Sequence, residues 1–116
     1  MHELSLAAGL LELVRDELAR HGAGRLLRAR VRYGALSNVL PEALDLAFSS
    51  LLRGGPHAGA VLELVEEPLL LRCGSCGEDF TPPEPVLFVP CPHCGQEFFH
   101  SVRKGRELYL DHLEAD

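Results

Sequence analysis

Cys73-Gly74-Ser75-Cys76 and Cys91-Pro92-His93-Cys94, separated by fourteen residues, decide how this chain of 116 residues is organised. Two residues between paired cysteines let both sulfurs face one point from a tight turn. Two such turns make a tetrahedral set of four thiolates, Cys73, Cys76, Cys91 and Cys94, a donor set that favours zinc. Four protein ligands leave no coordination position for water, so the site reads as structural rather than catalytic. His93, inside the second loop, could substitute for a cysteine ligand, but reads rather as a surface residue or one that supports the site from beside it. The connector Thr81-Pro82-Pro83-Glu84-Pro85 completes a small module, expected to be stapled by metal rather than built on a second hydrophobic core.

The sequence on either side has a different texture. Leu4, Ala7, Leu11, Val14 and Leu18 recur at helical spacing over residues 4–20, and Leu6, Leu10 and Leu13 widen the stripe. Gly22 is placed to end that helix in the left-handed conformation. Leu27, Ala29, Val31 and Tyr33 alternate with Arg28, Arg30 and Arg32, the period of a half-buried strand whose arginine row could bind an anionic partner but reads rather as a solvated face. Pro41 opens a second helix with Ala43, Leu44, Ala47, Phe48, Leu51 and Leu52 on one face, and Gly54-Gly55-Pro56 close it. Strands are predicted at about 59–66 and 107–113, with residues 68–72 and 101–106 as connectors. The last strand is expected to rejoin the first sheet. The resulting fold class is α+β: two helices on a small three-stranded mixed sheet, with a four-cysteine zinc ribbon inserted before the last strand. The expected domains are 1–72 plus 101–116, and 73–100.

Composition excludes several functions. The chain is 47% hydrophobic and 24% charged, ordinary globular usage that argues against disorder. Its net charge of −6 is poorly suited to displacing phosphate counterions, so no nucleic-acid role is expected. Phe98 and Phe99 therefore read as packing residues rather than base-stacking platforms. No apolar run is long enough for a membrane span, and no basic-then-apolar leader is visible, so a cytoplasmic setting is expected. In a reducing compartment, clustered cysteines more often bind metal than form disulfides.

His2 by itself would be an unremarkable terminal histidine. Its position lets the Met1 α-amine, the His2 backbone nitrogen and the His2 imidazole chelate one ion in adjacent rings, with Glu3 supplying a fourth donor from its backbone nitrogen or side chain. Near-planar nitrogen donors suit Ni(II) or Cu(II).

Met1-His2-Glu3-Leu4-Ser5-Leu6, Asn38-Val39-Leu40-Pro41-Glu42-Ala43-Leu44, the two cysteine loops and Gly105-Arg106-Glu107-Leu108 together resemble the HypA/HybF family of nickel metallochaperones, over essentially the whole chain. The resemblance implies nickel as transferred cargo at His2 with Met1 and Glu3, structural zinc on the four cysteines, and no enzymatic activity. It assigns nickel binding to 1–72 plus 101–116 and zinc binding to 73–100. It also implies delivery to the [NiFe]-hydrogenase large subunit with a HypB-type GTPase, and in some members a role with urease maturation factors. One departure is Gly55-Pro56-His57, where a threonine is common in the family.

Three other readings compete. A zinc-ribbon adaptor between proteins would carry no nickel. A small enzyme is disfavoured, because no nucleophile–base arrangement, phosphate loop or open metal site can be picked out. A redox protein would use its Cys-x-x-Cys pairs for thiol exchange.

Overall fold

The computed structural model describes residues 2–116, and the helices and strands run in the order α1 (His2–Arg20), β1 (Leu26–Gly34), α2 (Pro41–Leu52), β2 (Val61–Glu67), β3 (Leu70–Arg72), β4 (Asp79–Phe80), β5 (Ser101–Lys104) and β6 (Leu108–Ala115). They form two compact units. One comprises the chain up to Arg32, Val39–Val65 and Tyr109–Asp116; the other comprises Tyr33–Asn38 and Glu66–Leu108.

In the first unit α1 packs on α2. The helix stripe buries Ala7, Leu10, Leu11, Val14 and Leu18, while Leu4 and Leu13 stay exposed. Of the widening residues Leu10 is buried and Leu13 is not, and Leu4 of the expected stripe is itself exposed, so α1 turns one face to the core. Gly22, at φ 65°, lets the Ala23 N–H reach Leu18 O and the Gly22 N–H reach Ala19 O. Those two bonds satisfy carbonyls that the helix end would otherwise leave open. From α2 the core receives Leu44, Phe48 and Leu52, again from a single face; Leu51, expected on that face, is exposed.

The expected mixed sheet is present, in the order β2-β1-β6. The last strand does rejoin the first: the Gly24 N–H donates to Asp116 O, and the Asp116 N–H to Arg25 O. Further along the same pair, Asp111 Oδ2 accepts from Arg30 Nε at 2.8 Å and from Arg32 Nε at 2.9 Å. The Arg28 Nε bonds Glu63 Oε1 at 3.2 Å. The arginine row is thus a sheet face neutralised by acids of the flanking strands. Two arginine side chains hold the Asp111 carboxyl below the usual carboxylate range, Arg32 foremost and Arg30 beside it, against the opposing effect of burial.

The entry to β1 departs from strict alternation. Leu26 is buried and Leu27 exposed, the reverse of the expected phase at that end. The Leu26 N–H donates to His57 Nδ1 at 3.0 Å, in a buried bond that no strand ladder supplies. His57, in the loop after α2, therefore serves the fold of this unit.

The second unit has a core of its own, contrary to the expected coreless module. Leu69, Leu71, Cys73, Phe80 and Cys91 are buried, with Ala35, Leu36, Leu87, Val89 and Val102 packed against them. The residues expected to be connectors are strands β3 and β5. They pair antiparallel, and β3 also pairs antiparallel with β4, in the order β4-β3-β5. This sheet carries the cysteine loops, so the compact unit is wider than residues 73–100. The turn after β1 belongs here too. The Leu36 N–H donates to Gly105 O, and Gly34 lies so near Gly105 that a Cβ would overlap its backbone.

Candidate metal centre

The four cysteines hang from two similar turns. In the first, the Cys73 N–H bonds Glu78 O and the Gly77 N–H bonds Cys73 O; in the second, the Cys91 N–H bonds Gln96 O and the Gly95 N–H bonds Cys91 O. The repeated pattern directs the sulfurs of each pair to one side. β3 delivers the first turn from its end at Arg72, where Asp79 ties Arg72 and Arg103 with contacts at 3.0 and 3.8 Å.

All four Sγ atoms lie within 4.8 Å of one another. The sulfur separations of 3.5 Å for Cys73–Cys94 and 3.7 Å for Cys76–Cys91 run between the loops. Metal–sulfur bonds of about 2.3 Å in a tetrahedron place sulfurs about 3.8 Å apart, so the donor set fits a metal ion such as zinc. Backbone donors prepare the sulfurs for charge. Ser75 and Cys76 N–H groups point at Cys73 Sγ, at 3.4 and 3.5 Å, and the His93 N–H points at Cys91 Sγ at 3.4 Å. The Cys76 N–H is the main cause that draws the Cys73 thiol down to about 6, helped by Ser75 and by the neighbouring thiols, against burial. At Cys76 the Glu78 backbone also favours the thiolate, but partial desolvation of the sulfur and the sulfurs of Cys73, Cys91 and Cys94 outweigh it and push that thiol up to about 12. A site this crowded accepts its first negative charge readily and its last one only with a cation present.

Cys73 and Cys91 are buried, whereas Cys76 and Cys94 are exposed. His93 is exposed, as expected for a residue beside the site. His100 is a supporting residue that the sequence did not single out. Its Nε2 lies 2.8 Å from Val89 O and its ring meets Phe80 edge-on at 5.1 Å, which ties the connector between the loops to the small core. No residue spacing announces that contact.

Phe98 and Phe99 are not packing residues: both are exposed, and Phe99 adopts a left-handed φ of 69°. For a bulky residue that conformation costs on the order of 1–3 kcal/mol. The Phe99 carbonyl sits where a Cβ of residue 74 would be, so this approach of the two segments requires glycine at 74.

The amino-terminal candidates lie elsewhere. His2 is exposed and Glu3 half-buried, both in the first turn of α1. Met1 lies outside the described residues. A first helical turn has no intrahelical acceptors for its N–H groups, so the backbone nitrogens of His2 and Glu3 are not committed to the helix ladder. Among the described residues, the cysteines are the single side-chain cluster of histidine, cysteine or carboxylate ligands.

Residues 1–115 match the family described as "Hydrogenase/urease nickel incorporation, metallochaperone, hypA". The hydrogenase maturation factor HypA of Solidesulfovibrio magneticus is 50% identical over the full length of both chains. That of Lawsonia intracellularis is 40% identical, again over both full lengths. A solution structure of a HypA protein superposes with a TM-score of 0.73 at 25% identity, covering 99% of this chain and 96% of the other. The nickel metallochaperone HypA of Helicobacter pylori shares the fold, with a TM-score of 0.67 at 23% identity over 97% and 96% of the two chains.

Proposed function

Because the chain belongs to the HypA family of hydrogenase and urease nickel-incorporation metallochaperones, we propose that it takes up Ni(II) at its amino terminus and hands it on during [NiFe]-hydrogenase maturation. The ligands are the Met1 α-amine, the His2 backbone nitrogen and imidazole, and a Glu3 donor. Structural zinc is held by Cys73, Cys76, Cys91 and Cys94. The observation that carries the nickel assignment is an exposed His2 within the uncommitted first turn of α1.

That location has consequences for cargo. The amino end of a helix carries partial positive charge, which opposes a bound dication. Ionised backbone nitrogens and the Glu3 carboxylate offset that opposition. A site balanced in this way holds nickel while leaving it open to capture by a competing ligand set. Exposure of His2 gives such a set direct access, and displacement starts with the imidazole. The four thiolates play the opposite part: closed, supported by backbone N–H groups and tied to a core, they retain their ion and keep the second unit in shape. A carrier with these two sites needs no catalytic group.

The receiving partners are the hydrogenase large subunit and a HypB-type GTPase, with urease maturation factors as further clients, in the cytoplasm. No helix among the described residues is long and apolar enough to cross a membrane. The test is nickel titration of untagged protein beside His2→Ala, with zinc measured in both. Tight nickel binding lost in the variant, with about one zinc per chain in each, supports the assignment. Equal nickel binding removes His2 from its role and favours the adaptor reading. Ligand protonation predicts weaker nickel binding at pH 5.5 than at pH 7.5.

A further inference from the structure

Phe88, Phe98 and Phe99 form a continuous aromatic surface on the second unit. Phe88 meets Phe98 edge-on at 5.9 Å between ring centroids, and Phe98 meets Phe99 at 6.4 Å. All three face solvent, at 76%, 49% and 84% exposure, and Val86 nearby in the chain is 44% exposed. Single exposed apolar side chains are unremarkable, but three phenylalanines in ring contact, each about half or more exposed, are a cluster of the kind that interaction sites use. The surface is also held in place. The Phe99 carbonyl sits against Gly74, inside the first cysteine loop, which ties the residue that bears the outermost ring to the loop carrying Cys73 and Cys76.

Charge selects what covers it. From Cys73 through Val102 the chain contains no lysine or arginine. Asp79 is paired with Arg72 and Arg103, but Glu78, Glu84 and Glu97 have no ion pair among the described residues. Four thiolates around a dication add two further negative charges. A polyanion such as nucleic acid, or an anionic membrane, is repelled by such a surface, and a second copy would bring like charge against like. Cationic side chains are attracted both to the carboxylates and to the ring faces.

We infer that the Phe88–Phe98–Phe99 surface docks a segment of another protein in which lysine or arginine alternates with apolar side chains. The inference concerns the second unit alone and stands whether or not His2 carries nickel. Docking there tethers a client to the unit that holds its metal permanently and leaves the amino terminus to the cargo.

The experiment uses the full, zinc-loaded chain and a synthetic peptide of alternating leucine and lysine, with a leucine–glutamate peptide as control. NMR titration follows the phenylalanine ring signals. The expected result is saturable shifts at Phe88, Phe98 and Phe99 with the lysine peptide alone. Affinity should fall at least tenfold in Phe88→Ser, and likewise in Phe99→Asn, since asparagine tolerates the left-handed backbone. Glu84→Lys with Glu97→Lys should reverse the preference between the peptides. Should Phe99→Asn disturb the Leu69 and Leu71 methyl signals, Phe88→Ser alone decides, because that ring is outside the cysteine loops. Shifts located elsewhere, unchanged affinity in Phe88→Ser, or equal binding of both peptides overturns the inference. So does a wild-type dimer that becomes monomeric in Phe88→Ser, since a second copy then occupies the surface.

Discussion

Stripping the metal from the four cysteines should unfold the second unit and leave the first intact. The large apolar side chains buried in the second unit are Leu69, Leu71 and Phe80. At about 1.5–3 kcal/mol each, they contribute roughly 5–9 kcal/mol before any ordering cost is set against them. A structural zinc bound by folded ligands contributes about 10–16 kcal/mol at neutral pH, more than that core and comparable to the whole stability of a small domain. The first unit owes nothing to the ion, because its core of Val14, Leu26, Val31, Leu44 and Phe48 comes from α1, β1 and α2. Native-state amide hydrogen exchange separates the two outcomes. The Cys73, Gly77, Cys91 and Gly95 amides, which bond within the cysteine loops, should lose protection by more than about a thousandfold on chelation. At roughly 1.4 kcal/mol per decade, that loss reports about 4 kcal/mol or more. The Ala23 amide, bonded to Leu18 O, should keep its protection. If the cysteine-loop amides stay protected within tenfold after the metal is gone, the apolar core holds the unit and the reasoning fails.

Three further outcomes test the first unit. His57→Ala leaves the buried Leu26 N–H without its acceptor, which should cost about 1–3 kcal/mol in urea unfolding, with Leu26 losing exchange protection. Phe48→Ala, at a position with no solvent exposure, should cost about 3–5 kcal/mol, whereas Leu46→Ala on the open side of the same helix should stay within about 0.5 kcal/mol. Asp111 is held below its ordinary range when folded, so its stabilisation is complete above the unfolded value near pH 4 and is lost as pH falls through the lower folded value. The stability difference between wild type and Asp111→Asn should therefore shrink on acidification from pH 6; a constant difference would mean the Arg30 and Arg32 bonds do not depend on its charge.

The elements that were legible in the sequence are those whose own residues repeat. α1, α2 and β6, and β1 beyond its first residues, each have enough residues for an apolar period to show, and both helix endings were visible in Gly22 and Gly54. The cysteine centre was legible because a two-residue spacing is itself a geometric statement about where two sulfurs can point. The resemblance to the nickel-incorporation family rested on residues spread over the whole length, which is why it pointed to one family where either metal motif alone does not. β3, β4 and β5 escaped because strands of three, two and four residues are too short to show a period. Leu71 pairs with Phe80 across the first cysteine loop, and with Val102 only after the whole cysteine module has intervened.

Sequence alone thus determined the class of fold, the four thiolates and the amino-terminal chelate as a candidate, since each depends on residue type and local spacing. Tertiary structure alone decided that His57 caps the entry to β1, that Asp111 collects two arginines, that the second unit has a core, and that three phenylalanines face solvent rather than pack. Every one of these depends on which distant residue arrives as a neighbour. A phenylalanine reads the same in the sequence whether an apolar wall is waiting for it or not.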